Sequence, residues 1–99
     1  MYEETLRQMR RAVKAERVRF TSHALNEMDA EGYAKADVYC CILTGEIIED
    51  QYDLRYQQVK YIIFGDAQNG DEIGLAARFD SASGVVVITV FQLQMDDYD

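Results

Sequence analysis

The spacing of the apolar residues changes once along this chain, and the position of that change limits the fold to one class. Up to Gly45 apolar side chains recur every three or four positions; from Glu46 onward they form short β-branched and aromatic runs separated by polar turns. Tyr2, Leu6, Met9 and Val13 predict a first helix from residue 2 to about 16, with glutamates in its first turn and cations in its last, where the helix dipole favours them. Thr21 or Ser22 can cap a second helix by accepting a bond from a free backbone N–H, and Gly32 can end it, which turns Leu25 and Met28 inward. A third helix from about Lys35 places Val38, Cys41 and Ile42 on one side and stops at Gly45.

Four strands follow. Ile47 and Ile48 open the first, and Val59 to Gly65, Glu72 to Phe79 and Val85 to Phe91 make the others. The links between them are too short for a crossover of a dozen or more residues, so neighbouring strands must run antiparallel. The expected fold class is α+β, with about three N-terminal helices packed on one face of a four-stranded antiparallel sheet. It is read as one domain: a helical half at 1–45, a sheet half at 46–92 and an acidic tail at 93–99. The 52–57 link is the one loose connection. Asn69-Gly70 suits a two-residue hairpin turn, because both residues tolerate the positive φ such a turn needs. With Gln68 and Asp71 flanking that turn, Tyr61 faces Arg78, Ile62 faces Ala77, Ile63 faces Ala76 and Phe64 faces Leu75. One face then carries Ile62, Phe64, Ile73, Leu75, Ala77 and Phe79 against the helices. The other shows Tyr61, Ile63, Gly65, Gly74, Ala76 and Arg78, a shallow floor that a ligand or partner segment could fill.

Composition bounds the rest. A chain of 99 residues with 48% hydrophobic residues and no proline holds one core and is too apolar to be disordered. No window reaches the roughly 18 apolar residues of a transmembrane helix. No apolar stretch of a signal peptide follows Met1-Tyr2-Glu3-Glu4, so a cytoplasmic protein is expected. Cys40 and Cys41 are adjacent and read as small core residues rather than a staple; with one histidine and no spaced cysteine pair, neither metal nor cofactor is expected. The net charge of −8 repels nucleic acid at long range. Yet residues 1–20 hold six cations against three acids, so the molecule is polarised, and Arg10, Arg11 and Lys14 can meet an acidic partner or a phosphate backbone.

The sheet half holds few residues able to do chemistry. Arg78 is a permanently charged fork suited to carboxylate or phosphate, with Tyr61 expected opposite it; the bland alternative pairs Arg78 with an acid such as Asp80. His23, near the start of the second helix, can exchange protons near neutrality or simply pack and cap. Lys60 and Arg55 complete the cations of this half. The run Asp66 to Glu72 lacks the terminal glutamate of a calcium loop and reads as a hairpin turn.

The order Phe20-Thr21-Ser22-His23-Ala24-Leu25, Met28, Gly32, Asp37-Val38, Ile42-Leu43 and Gly45 to Asp50, then Tyr61 to Gly65 and Val87 to Phe91, resembles a small bacterial family, DUF4258. That resemblance implies the fold of the RelE and BrnT toxins and a toxin-like protein of a toxin-antitoxin pair. It further implies a zinc-ribbon-like antitoxin as partner, and His23 matches the family's histidine before alanine. The chain departs from the family at Glu27 and Glu31, where relatives usually carry arginines. Two functional readings follow. In one, the protein is a non-catalytic binding module of this fold that binds a protein partner or itself as a homodimer; its acidity favours this reading. In the other it is a metal-independent, RNA-cleaving toxin using Arg78, Tyr61 and His23, with Lys60 or the cations of the first helix positioning RNA.

Overall fold

The computed structural model describes residues 1–93; the acidic run Met95 to Asp99, expected to be a frayed end, lies outside them. The element order is α1 (Glu3–Lys14), β1 (Val18–Phe20), α2 (Ser22–Glu31), α3 (Lys35–Thr44), β2 (Glu46–Asp53), β3 (Gln58–Asp66), β4 (Glu72–Phe79) and β5 (Val85–Gln92). The fold is α+β with three helices, as the periodicity predicts. The sheet, however, has five strands in the order β1-β5-β4-β3-β2 and is mixed, because β1 runs parallel to β5 while every other pair is antiparallel. A three-residue strand between two helices is too short for alternation to announce it, so Val18-Arg19-Phe20 falls inside the supposed helical half.

The helices form for the expected reasons. α1 has Glu3 and Glu4 in its first turn and Arg11 and Lys14 in its last, and it buries Met9, Ala12 and Val13. Thr21 caps α2, its hydroxyl accepting from the Ala24 N–H at 3.1 Å and donating to the Ile88 carbonyl at 2.9 Å. Gly32 ends α2 at φ 77°. The buried pair on α2 is Ala24 and Met28; Leu25, expected inside, is exposed one position round the helix. At the start of α3, where Ala34 has no capping side chain, Asp37 accepts from the Ala34 N–H at 2.8 Å and from the Gln68 N–H at 3.0 Å. These bonds hold the Asp37 carboxyl below its ordinary value and tie the β3–β4 turn to the helix. Cys41 is buried in the core, and that burial pushes its thiol up to about 12; Cys40 is half-buried.

The β3–β4 turn corrects the expected register. Gly70 alone takes a left-handed conformation, at φ 92°, and the hairpin closes between Ala67 and Asp71 around a three-residue loop. The Gly70 N–H donates to the Ala67 carbonyl at 3.0 Å, as in a tight turn followed by a left-handed residue. Every pairing therefore slips by one: Tyr61 faces Ala77, Ile62 faces Ala76, Ile63 faces Leu75 and Phe64 faces Gly74. β4 keeps its expected faces and β3 is inverted. Ile63 is wholly buried in the core with Ile73, Leu75 and Ala77, while Tyr61 packs beside them, under the helices. Ile62 and Phe64 lie instead on the opposite face, half-buried.

Close backbone approach fixes α3 against β3. A Cβ on Gly65 would lie 2.3 Å from the Cys41 carbonyl oxygen, and one on Gly45 would lie 2.2 Å from that of Phe64. The 52–57 link, expected to be loose, is a four-residue turn between the paired Asp53 and Gln58. The Asp53 carboxylate accepts from the Arg55 N–H at 2.9 Å and the Tyr56 N–H at 3.4 Å, and Gln57 supplies the left-handed residue at φ 53°. The core lies between the three helices and one sheet face. Among the described residues no helix is long and apolar enough to cross a membrane.

Candidate functional site

The other sheet face carries no helix of the described residues, and pleating decides what it presents. Register places Arg19, Val86 and Arg78 side by side on β1, β5 and β4. One step beyond the Tyr61–Ala77 pair brings Lys60 opposite Arg78, and Lys60 in turn pairs with Gln51. Arg19, Arg78 and Lys60 thus share one row across the sheet, with Arg78 and Lys60 on adjacent strands about 5 Å apart. Two rows away the same face is apolar: Phe64 and Phe91 meet edge-to-face at 6.3 Å over Gly74.

Arg78 and Lys60 of this row floor a groove of about 790 Å³. Its walls come from the start of α2, with Thr21 and His23, and from the β2–β3 hairpin, with Tyr52, Asp53, Leu54, Arg55 and Tyr56. His23, Arg55, Lys60 and Arg78, four of the residues singled out in the sequence, therefore line one groove. Asp53 is the one carboxylate among its lining residues, and it is engaged by turn amides. A chain of net charge −8 accordingly presents three permanent cations and a histidine here.

Tyr61 does not join them. It lies on the helix-covered face, edge-on to Tyr2 at 6.3 Å and to Phe79 at 6.2 Å, so the expected pairing with Arg78 is overturned by the one-residue slip in register. Nor does Arg78 take Asp80 as its partner. Asp80 accepts from the Ala82 and Gly84 N–H groups at 2.9 and 2.8 Å and pairs with Arg19 at 3.4 Å, which together hold its carboxyl below the ordinary value. Among the described residues Arg78 forms no ion pair.

The α1 cations divide. The Arg10 guanidinium donates to the Ile42 carbonyl at 3.0 Å and the Gly45 carbonyl at 2.9 Å, tying α1 to the C-terminal end of α3 where such carbonyls lack helical partners. Arg11 and Lys14 line a separate shallow surface on α1.

Glu27, where the family resemblance implies arginine, has a structural role. β1 is too short to pair the whole of β5, and Glu27 on α2 takes over where it ends, accepting from Thr89 Oγ1 at 2.5 Å and the Val90 N–H at 2.8 Å. Its second oxygen lies 3.2 Å from His23 Nε2. The Glu27 carboxylate thus closes a sheet edge and sits beside the histidine of the groove. Arg19 and the hairpin tyrosines escaped the sequence reading; alternation across Val18-Arg19-Phe20 was the one available signal for Arg19. Among the described residues no three potential metal ligands cluster together.

No curated protein and no solved structure matches the chain significantly. A family model does match, over residues 20–92, which takes in the groove, the whole sheet except the start of β1, and helices α2 and α3. The chain belongs to the family described as domain of unknown function DUF4258.

Proposed function

We propose that the protein is a toxin-like binding module whose open sheet face holds the phosphate backbone of RNA. One observation carries this reading: Arg55, Lys60 and Arg78 converge on a single groove of a molecule whose net charge is −8. A local concentration of cations with a guanidinium fork suits phosphate oxygens, and a phosphate backbone repays its contacts through counterion release. The family likeness supports placing the protein among RelE- and BrnT-like toxins of bacterial toxin-antitoxin pairs. A zinc-ribbon-like antitoxin would then neutralise it by covering this groove.

A second reading, metal-independent RNA cleavage, is favoured by His23, which lines the same groove as Arg78. In that reading His23 takes the proton of the attacking 2′-hydroxyl, the 2′-oxygen bonds to phosphorus as the bond to the 5′-oxygen breaks, the departing oxygen takes a proton from water, and Arg78 and Lys60 stabilise charge on the reacting phosphate. Tyr61, beneath the helices, takes no part. The experiment is RNA binding and cleavage by the wild type, Arg78→Ala and His23→Ala. The binding reading predicts that R78A weakens binding while H23A leaves it nearly unchanged, with no cleavage by any of the three. Cleavage by the wild type, abolished by H23A, would establish the second reading. RNA binding unaffected by R78A would remove the groove from both.

A further inference from the structure

The turn that joins β2 to β3 needs little from its own side chains. Asp53 closes it by accepting from two backbone N–H groups, and Gln57 supplies the left-handed residue. A solvated turn of this kind ordinarily carries small polar residues. Here it carries Leu54 and Tyr56, 81% and 63% exposed, with Tyr52 beside them at 58%. None of the three helps to fill the core, and all three line the groove whose floor holds Lys60 and Arg78. The Arg55 guanidinium lies 5.9 Å from the centre of the Tyr56 ring, a cation resting on an aromatic face.

Aromatic rings beside a row of cations match the two halves of a nucleotide. Phosphates go to the cations, and an unpaired base can lie on an aromatic face; such stacking tolerates any base because every base has a π-face. A duplex cannot use this arrangement, since its bases are already stacked and paired inside the helix. Resting on the RNA reading above, we infer that Tyr56 forms a base-stacking subsite that restricts the groove to single-stranded RNA.

The test is fluorescence anisotropy with three labelled probes: a single-stranded RNA ten-mer of mixed sequence, the same backbone carrying abasic positions, and a blunt RNA duplex. Each is titrated with the wild type, Tyr56→Ala, Tyr56→Phe and Tyr52→Ala. The wild type should bind the single strand more tightly than the abasic strand by roughly 5- to 150-fold for each base stacked, and should bind the duplex most weakly. Y56A should lose that preference while binding the abasic strand as the wild type does, and Y56F should keep it. Y52A removes a tyrosine that register places with Val59 and Tyr61 on the other face, and should leave the preference unchanged. Equal binding of the base-bearing and abasic strands by the wild type would overturn the subsite and leave the phosphate-binding groove standing. Failure to bind any of the probes at low salt would overturn the RNA reading itself. A stoichiometric protein complex lost in Y56A, without RNA binding, would assign the hairpin to a protein partner instead.

Discussion

Removing the Glu27 carboxylate tests how the open end of β5 is closed. Glu27→Ala deletes the acceptor of both the Thr89 hydroxyl and the Val90 N–H, whose residue is only 2% exposed. The hydroxyl can turn to water, but the amide is left next to the core without an acceptor, a loss of about 1–3 kcal/mol. The lost charge-assisted bond to Thr89 adds to this, so about 2 kcal/mol in total is expected. In a domain of this size that lowers Tm by roughly 8–16 °C. The His23 contact is a separate, largely exposed i,i+4 pair worth about 0.3–0.5 kcal/mol, so His23→Ala should leave stability almost unchanged. Glu27→Gln keeps one carbonyl oxygen for the strand and should cost about half as much as the alanine variant. Urea denaturation and thermal melting followed by circular dichroism give all three values. If E27A is no less stable than H23A, Glu27 does not hold the sheet edge, and its place beside Thr89 and Val90 has no energetic meaning.

Gly65→Ala would drive a methyl group to 2.3 Å from the Cys41 carbonyl, a backbone atom that cannot swing away, so α3 must shift from β3. A loss of 3 kcal/mol or more, at or above the upper end of overpacking costs, is expected in urea denaturation; a near-neutral result would contradict the close helix–strand contact. Asp37 has its carboxyl lowered by the N–H groups of Ala34 and Gln68, so its folded pKa lies below its unfolded one. The stability it contributes is present above the unfolded pKa, near 3.8, and is lost as pH falls through the lower folded value. Melting temperatures measured from pH 6 to pH 2 should therefore fall less steeply at the acid end in Asp37→Asn than in the wild type; parallel profiles would contradict that linkage.

The helices and the last four strands were legible because each has its own apolar period. β4 shows why the faces were only partly legible. Ile73, Leu75, Ala77 and Phe79 alternate with small or charged residues and choose their face unaided, so Arg78 lands on the open side whatever the turn does. β3 is apolar in both phases through Tyr61, Ile62, Ile63 and Phe64, so only the turn can orient it. Asn69-Gly70 reads as a two-residue turn, but with Gly70 alone left-handed the loop takes in Gln68 as well, and Tyr61 passes beneath the helices. Arg78, Arg55 and His23 reach the groove because β4, the β2–β3 turn and the α2 cap place them independently of that expected face, whereas Lys60 reaches it only through the slip that turns Ile62 and Phe64 outward. Arg19 went unseen because its strand is defined by pairing with β5, 67 residues further along, rather than by any local pattern. The role of Glu27 was equally hidden, since it depends on a short β1 leaving the Val90 N–H unpaired.

The most direct test of the account is the salt dependence of single-stranded RNA binding, measured by anisotropy from low to physiological ionic strength. If Lys60, Arg78 and Arg55 hold two or three phosphates, log K should fall against log salt with a slope of about −1.4 to −2.1, and Lys60→Ala should make it shallower by about 0.7. A slope near zero, or one that Lys60→Ala leaves unchanged, would contradict a phosphate-binding row on the open sheet face.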